Sequence, residues 1–371
     1  MNTVPRYDWT SLSGLALIAL AIVSVVLMIA WWRGGLRRRS PTQRVAALAG
    51  LTLFLCFDLV VFGAYTRLSD SGLGCPDWPG CYATASPVAA AQHIAQAQAI
   101  APNGPVTEKK AWIEMIHRYF AMALGALIIL MLAAAALARE RRALILALVT
   151  LAWVIAQGMF GALTVTWKLY PAIVTGHLLG GMGLLALLAV QVPARADASD
   201  AARGARDRLA LWLAALALLL QVALGGWVST NYAVLACTGF PQCNGQWWPA
   251  MNWAEGFTFA RELGRRADGE PIAMTALVAI QWTHRLFAVA FAVAMGWLAA
   301  RLWKRGPPAR RRAVIIGGLV VVQWGTGLSN VVLGWPLVAA LAHTAGAAAL
   351  VICIGFEVAA ALNSRNRILS S

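Results

Sequence analysis

Residues 111–137 read AWIEMIHRYFAMALGALIILMLAAAAL, a run that carries no charge from Tyr119 to Leu137 yet sets Glu114, His117 and Arg118 close together near its start. About 20 apolar residues cross the hydrocarbon core of a bilayer as a helix, so this run is long enough to span. A carboxyl, an imidazole and a guanidinium inside such a span are costly to bury, and side chains of this kind mark sites of function.

The composition around the run fixes the medium. Hydrophobic residues fill 60% of the 371 positions and charged residues 12%, with a mean hydropathy of +0.68, far more apolar than a soluble domain. The expected fold is an all-α polytopic membrane protein, with membrane lipid as its surroundings. A net charge of +15 can suit nucleic acid, but the arginines lie in short connections between apolar runs, where the positive-inside rule accounts for them. No nucleic-acid partner is expected.

Nine spans can be read, at 11–32, 45–66, 111–137, 143–166, 171–192, 209–229, 272–300, 313–333 and 336–361. Arginine-rich connections (Arg33 to Arg44, Arg139 to Arg142, Arg195 to Arg208, Arg301 to Arg312) alternate with the long loops 67–110 and 230–271 and with tight turns near Lys168 to Pro171 and Gly334 to Pro336. That alternation puts the N-terminus and both long loops outside and the C-terminus in the cytoplasm. The first span competes with a signal-peptide reading. Its apolar stretch is too long for that, and the strong charge cluster follows it, so residues 1–44 are read as an extra N-terminal transmembrane helix with a basic cytoplasmic loop.

The other eight spans fall into two groups of four, 45–192 and 207–361. Phe62-Gly63-Ala64-Tyr65-Thr66 aligns with Leu224-Gly225-Gly226-Trp227-Val228, and Glu114-Met115-Ile116-His117-Arg118 with Gln281-Trp282-Thr283-His284-Arg285. Gln157 to Leu163 similarly matches Gln323 to Leu328. An even number of helices per unit keeps both halves in one orientation, so the expected architecture is two parallel four-helix repeats.

Four of the five histidines respect this internal repeat: His117 and His177 are separated by 177 − 117 = 60 residues, His284 and His343 by 343 − 284 = 59. At a rise of about 1.5 Å per residue, His117 and His177, each six residues into its span, lie roughly 9 Å below the outer edge. His343 is seven residues in and His284 about twelve. Two imidazoles on neighbouring helices can take both axial positions of a haem iron. Gly176, Gly180, Gly181 and Gly346 would let a planar ligand approach the backbone, though small residues also serve helix packing. The bland reading of each histidine is a buried polar residue bonded to a neighbouring helix. Zinc or copper is less well served, since each half offers two aligned nitrogens and no thiolate at that depth. His93 has no counterpart and reads as solvated.

Cys75 and Cys81, and Cys237 and Cys243, form C-x5-C pairs in the first outer loop of each half. On an oxidising face they are expected to be disulfides, each worth roughly 2 kcal/mol through loop closure, with a redox role as the alternative. Cys56 and Cys353 read as inert thiols. The halves differ where Glu114 precedes His117 and Gln281 precedes His284. A buried carboxyl can move protons or stabilise a developing cation, which favours the first half for chemistry, and the competing reading pairs Glu114 with Arg118.

With these residues in view, the segment Gly63 to Cys75, Glu114-x-x-His117-Arg118, Gly176-His177, Thr283-His284-Arg285 and Ala342-His343 resemble the haem A synthase family over nearly all of 45–361. The extra first helix and the less regular second loop from Leu235 depart from that pattern. The resemblance implies a membrane haem-dependent oxidoreductase of the bacterial inner (plasma) membrane that oxidises the C8 methyl of haem O to the formyl of haem A, for terminal oxidases. It implies His117 and His177 on the substrate iron, His284 and His343 on a haem b cofactor, and Glu114 in the oxidation. Arg67, Arg118 and Arg285 are candidate propionate contacts, with interfacial snorkelling as the alternative.

A methyl C–H is neither acidic nor electrophilic, so redox cofactors must carry its oxidation. Successive two-electron steps through a hydroxymethyl intermediate are expected, with electrons passing through the C-terminal haem. No flavin or nicotinamide fold is present in the sequence, so an external electron donor is implied; haem O synthase and oxidase assembly factors are further candidate partners. Two other classes fit parts of the pattern. A dihaem b-type cytochrome relaying electrons from quinol would use the same histidines. A transporter would need midplane polar groups, of which Asp58, read as a buried partner of a nearby polar group, is the main one.

Overall fold

A computed structural model describes residues 6–32, 39–192, 204–266 and 268–369. Its helices are α1 (Leu12–Trp32), α2 (Pro41–Leu68), α3 (Ala91–Ile100), α4 (Glu108–Leu137), α5 (Arg141–Thr166), α6 (Pro171–Gln191), α7 (Ala205–Thr230), the short α8 (Trp253–Gly256), α9 (Met274–Trp303), α10 (Pro307–Val332) and α11 (Leu337–Leu369). Among the described residues nine helices are long and apolar enough to cross a membrane. The protein is an all-α polytopic membrane protein. Large apolar side chains such as Leu17, Phe54, Ile129, Met159, Val293 and Val321 lie exposed on its helices, as expected where the solvent is lipid.

The helix starts differ most from the sequence reading where polar caps extend a span past its apolar part. Ser40 caps α2 reciprocally with Gln43 and Pro41 occupies the first turn; Thr107 caps α4 by accepting from the Lys110 amide. Pro307 opens α10, so Arg310 to Arg312 are helical and not part of the connection read from the sequence. Arginine stems lie along a helix while their heads reach polar surroundings, which is why they do not end it. Parts of the connections Arg33 to Arg44 and Arg195 to Arg208 lie outside the described residues.

The chain divides into two compact units, Met1–Leu184 and Leu185–Ser371. In the first, α4 packs on α1, α2 and α5. Val23 of α1 and Ala123 and Leu127 of α4 are buried together, with Leu51 and Leu55 of α2 packed against them. Gly181 of α6 faces Val60 of α2, and the Trp153 indole of α5 donates to the Gly180 carbonyl at 2.8 Å. In the second unit α7, α9, α10 and α11 pack in a closed ring of neighbours. Ion pairs tie one end of that ring: Asp207 to Arg301 at 2.6 Å and to Arg305 at 3.8 Å, and Arg312 to Glu357 at 2.6 Å.

The segment before α1 has a task that the sequence does not reveal. Tyr7–Asp8 (β1) pairs in parallel with Trp78–Pro79 (β2) inside the loop between α2 and α3. Trp9 meets Trp78 edge-on, with centroids 5.4 Å apart, and the Tyr7 hydroxyl bonds Thr166 Oγ1 at 3.1 Å. The extra helix is thereby fastened to the loop that holds the first cysteine pair.

Candidate functional site

Each of the four histidines rests against a glycine of the next helix. A Cβ added at Gly63 of α2 would stand 3.0 Å from His117 Cε1 of α4, and one at Gly161 of α5 would stand 3.6 Å from His177 Cε1 of α6. In the second unit Gly225 of α7 stands in the same way to His284 of α9, at 3.0 Å, and Gly327 of α10 to His343 of α11, at 3.2 Å. At Gly63, Gly225 and Gly327 a side chain would crowd the ring more tightly than ordinary contact allows, whereas at Gly161 a Cβ would only touch it. His117 and His177 are near enough to interact electrostatically, as are His284 and His343. Phe62 lies nearly parallel to the His117 ring, with centroids 6.3 Å apart.

The redrawn helix starts bring the corresponding histidines of the two units into line, but His117 and His177, read at equal depth from the sequence, now differ by 9 − 6 = 3 residues from their helix starts. His117 follows Glu108 by 117 − 108 = 9 residues and His284 follows Met274 by 284 − 274 = 10, while His177 and His343 each lie six after Pro171 and Leu337.

Two imidazoles per unit, close to each other and backed by glycine, are a donor set that fits the axial positions of a haem iron. His117 Nδ1 and His177 Nδ1 are buried without a hydrogen-bond partner among the described residues. No group of three or more His, Cys, Asp or Glu side chains is gathered for a metal ion among those residues, and a tetrahedral zinc site would require more donors than a pair. The donor chemistry therefore matches haem better than a bare ion.

Above the first pair lies a loop braced from α4. Cys75 and Cys81 are joined, with Cα atoms 5.0 Å apart. Glu114 Oε2 accepts from the Cys75 amide at 2.8 Å, and Oε1 accepts from Arg118 Nη2 at 2.6 Å. Arg118 Nη1 donates to the carbonyls of Asp77, Pro79 and Gly80. Gly74 permits the approach, since a Cβ there would collide with the Lys110 backbone. Inside the loop the Asp77 carboxylate accepts from the Tyr82 and Ala83 amides at 2.7 and 2.8 Å. Burial, with the Asp77 charge nearby, pushes the Tyr82 phenol up from its ordinary value.

The second unit repeats the bracing without the carboxylate. Cys237 and Cys243 are joined, Cα to Cα 4.8 Å. Arg285 donates to the carbonyls of Cys237, Gly239 and Gln242. Gln281 is buried, and its Oε1 has no hydrogen-bond partner among the described residues. Both loops carry a cis proline, Pro79 and Pro241.

Several residues fall where the sequence did not put them. Glu114 makes the Arg118 pair that stood as its competing reading. Arg118 and Arg285, offered to propionates, are engaged by carbonyls of their own loops, and Arg67 pairs with Asp70 at 3.6 Å. Asp58 is exposed on α2 and not buried: the helix turns that side away from the unit's interior. His93 is exposed and stacks on Tyr82 at 5.3 Å; Cys56 is a buried free thiol and Cys353 a half-buried one. Sequence reading missed Gln221 and Thr326, whose side chains meet His284 Nδ1 at 3.3 Å and His343 Nδ1 at 3.0 Å. Their signal was a polar residue on the helix that also carries the backing glycine.

Comparison with known proteins shows the family. The family model described as COX15-CtaA, cytochrome oxidase assembly protein, matches residues 46–354. The chain is 37% identical over 311 residues to the haem A synthase of Shewanella oneidensis, covering 83% of this chain and 93% of that protein. It is 29% identical over 345 residues to the haem A synthase of Rhizorhabdus wittichii, with 86% and 95% covered. To that of Halalkalibacterium halodurans it is 26% identical over 307 residues, with 79% and 87% covered. Since the family model spans both histidine pairs and both braced loops, the chain belongs to the COX15-CtaA family of cytochrome oxidase assembly proteins.

Proposed function

We propose that the protein is a haem A synthase, oxidising the C8 methyl of haem O to a formyl group. The observation that carries this reading is the paired-histidine arrangement in each unit of a chain whose relatives bear that name. In this reading the first unit holds the substrate between His117 and His177, and the second holds haem b between His284 and His343. The halves are parallel repeats, and the braced loops face the outer side of a bacterial inner membrane with the C-terminus in the cytoplasm.

Bound haem supplies the redox chemistry that side chains lack. The chain's own residues orient and shield. Gly63 and Gly161 let the first two rings sit against the backbone, and the Cys75–Cys81 loop, held by Arg118, closes the end of α4 near His117. Glu114 is a carboxylate one turn from His117 on the same helix. With Arg118, the Cys75 amide and the Gly74 backbone as its partners, the carboxylate still has acceptor capacity to take a proton or steady positive charge developing at the methyl carbon. Electron exchange with an external partner, through the haem of the second unit, completes this reading.

Pigment analysis tests the reading. Expressed with a source of haem O, the purified protein should yield haem A together with a tightly held b-type haem. Unchanged haem O beside two tightly held b-type haems would overturn it in favour of an electron relay.

A further inference from the structure

The two histidine pairs differ in what holds Nδ1. In the second unit His343 Nδ1 lies 3.0 Å from Thr326 Oγ1, and that hydroxyl gives its own proton to the Val322 carbonyl at 2.8 Å. With its proton committed, Oγ1 offers lone pairs, so Nδ1 carries the ring proton and Nε2 keeps the lone pair that an iron takes. His284 Nδ1 lies 3.3 Å from the Gln221 amide, whose Oε1 is buried and has no hydrogen-bond partner among the described residues. As placed, Nε2 also donates to the His284 carbonyl at 3.4 Å; an amide turned about its last bond gives up that long contact, presents Oε1 to Nδ1–H and sets the same tautomer.

The first unit has no such partners. Leu59 precedes Gly63 by four residues as Gln221 precedes Gly225, and Phe160 precedes Gly161 as Thr326 precedes Gly327. Neither side chain can bond an imidazole. Phe160 packs on Gly176, and both Nδ1 atoms of that pair are left without partners among the described residues.

We infer that Gln221 and Thr326 are positioning residues that make His284 and His343 a retaining clamp, while Leu59 and Phe160 leave His117 and His177 as ligands from which haem exchanges. A ligating imidazole whose Nδ1–H is hydrogen-bonded is fixed in tautomer and orientation and is a more basic ligand. Loss of such a partner typically costs about 10–100-fold in metal affinity. A cofactor site needs that grip, and a site that must release its product does not. The inference rests on placing the substrate haem in the first unit and haem b in the second.

The test uses the full chain purified with its haem, and reads the rate of haem transfer to excess apomyoglobin and the midpoint potential of the retained haem. Thr326→Val and Gln221→Leu should each speed transfer by about 10-fold or more. They should also raise the potential, because a less basic imidazole stabilises ferric iron less. Thr326→Ser, which keeps the hydroxyl, should restore both. Native transfer rates and potentials in both Thr326→Val and Gln221→Leu would overturn the inference. His284→Ala in the same series tells that failure from a failure of the unit assignment. If His284→Ala removes the retained haem while those two variants behave as native, the positioning role alone is wrong. If the retained haem survives His284→Ala and is lost in His117→Ala, the assignment is wrong and the inference falls with it.

Discussion

Glu114 and Cys75 are 39 residues apart in sequence, yet the carboxylate of one accepts the amide of the other at 2.8 Å. The bond joins the ligand-bearing helix α4 to the cysteine loop, and Arg118 completes the join from the next turn. A carboxylate so held has two tasks, bracing and chemistry, and substitution can separate them.

Glu114→Gln keeps an oxygen for the Cys75 amide and loses the charge. Product formation should fall by about 100-fold or more, the usual scale for losing a proton-transfer group, while the b-type spectrum of the second unit stays. Loss of that spectrum in place of turnover would mean that the roles of the units are reversed.

Arg118→Leu removes the guanidinium from a buried pair and from three carbonyls. Breaking a buried pair leaves a lone charge and costs about 3–5 kcal/mol. Thermal unfolding should shift down, and the Cys75–Cys81 disulfide should become reducible under mild dithiothreitol before the Cys237–Cys243 one does. Equal reduction rates for the two would show that Arg118 does not guard the loop.

Gly225→Ala puts a methyl 3.0 Å from His284 Cε1. Alanine favours a helix over glycine by about 1 kcal/mol, so haem-free stability should hold or rise while haem retention falls. These opposite signs, read by thermal melts with and without haem, distinguish a ligand-backing glycine from one that only packs. Gly63→Ala should lower turnover and spare the retained haem.

Cys75→Ser with Cys81→Ser should lower stability by about 2 kcal/mol on loop-closure grounds. If the bridge is only a brace, turnover measured at low temperature should survive; its abolition in a folded double variant would instead assign the pair a redox task.

Gly14→Val drives a side chain into Ala85, since even a Cβ at position 14 would come within 2.6 Å of Ala85 Cβ. Prising α1 from the loop should raise protease sensitivity around residues 78–85 and leave the second unit's haem unaffected.

The spans were legible because uninterrupted apolar runs of that length have one stable outcome in lipid. The histidine pairs were legible because so few histidines occur and four keep a fixed spacing. Boundaries were less so, since Pro307 and Thr107 start helices in polar sequence before the apolar pattern begins. The bracing was hidden: Arg118 finds its carbonyls only once the loop has folded, and nothing local in 75–81 announces a partner. Tyr7–Asp8 is too short for any periodic signal. Thr326 was passed over because a lone hydroxyl on an apolar helix usually bonds only its own backbone, as its bond to Val322 also does.

The four glycine seats also set a dimension. Where two helices meet across a flat ring and a bare backbone, their spacing is gauged by an imidazole and not by a branched aliphatic side chain. Such a gap cannot be closed by repacking, because the seat offers no side chain to fill it.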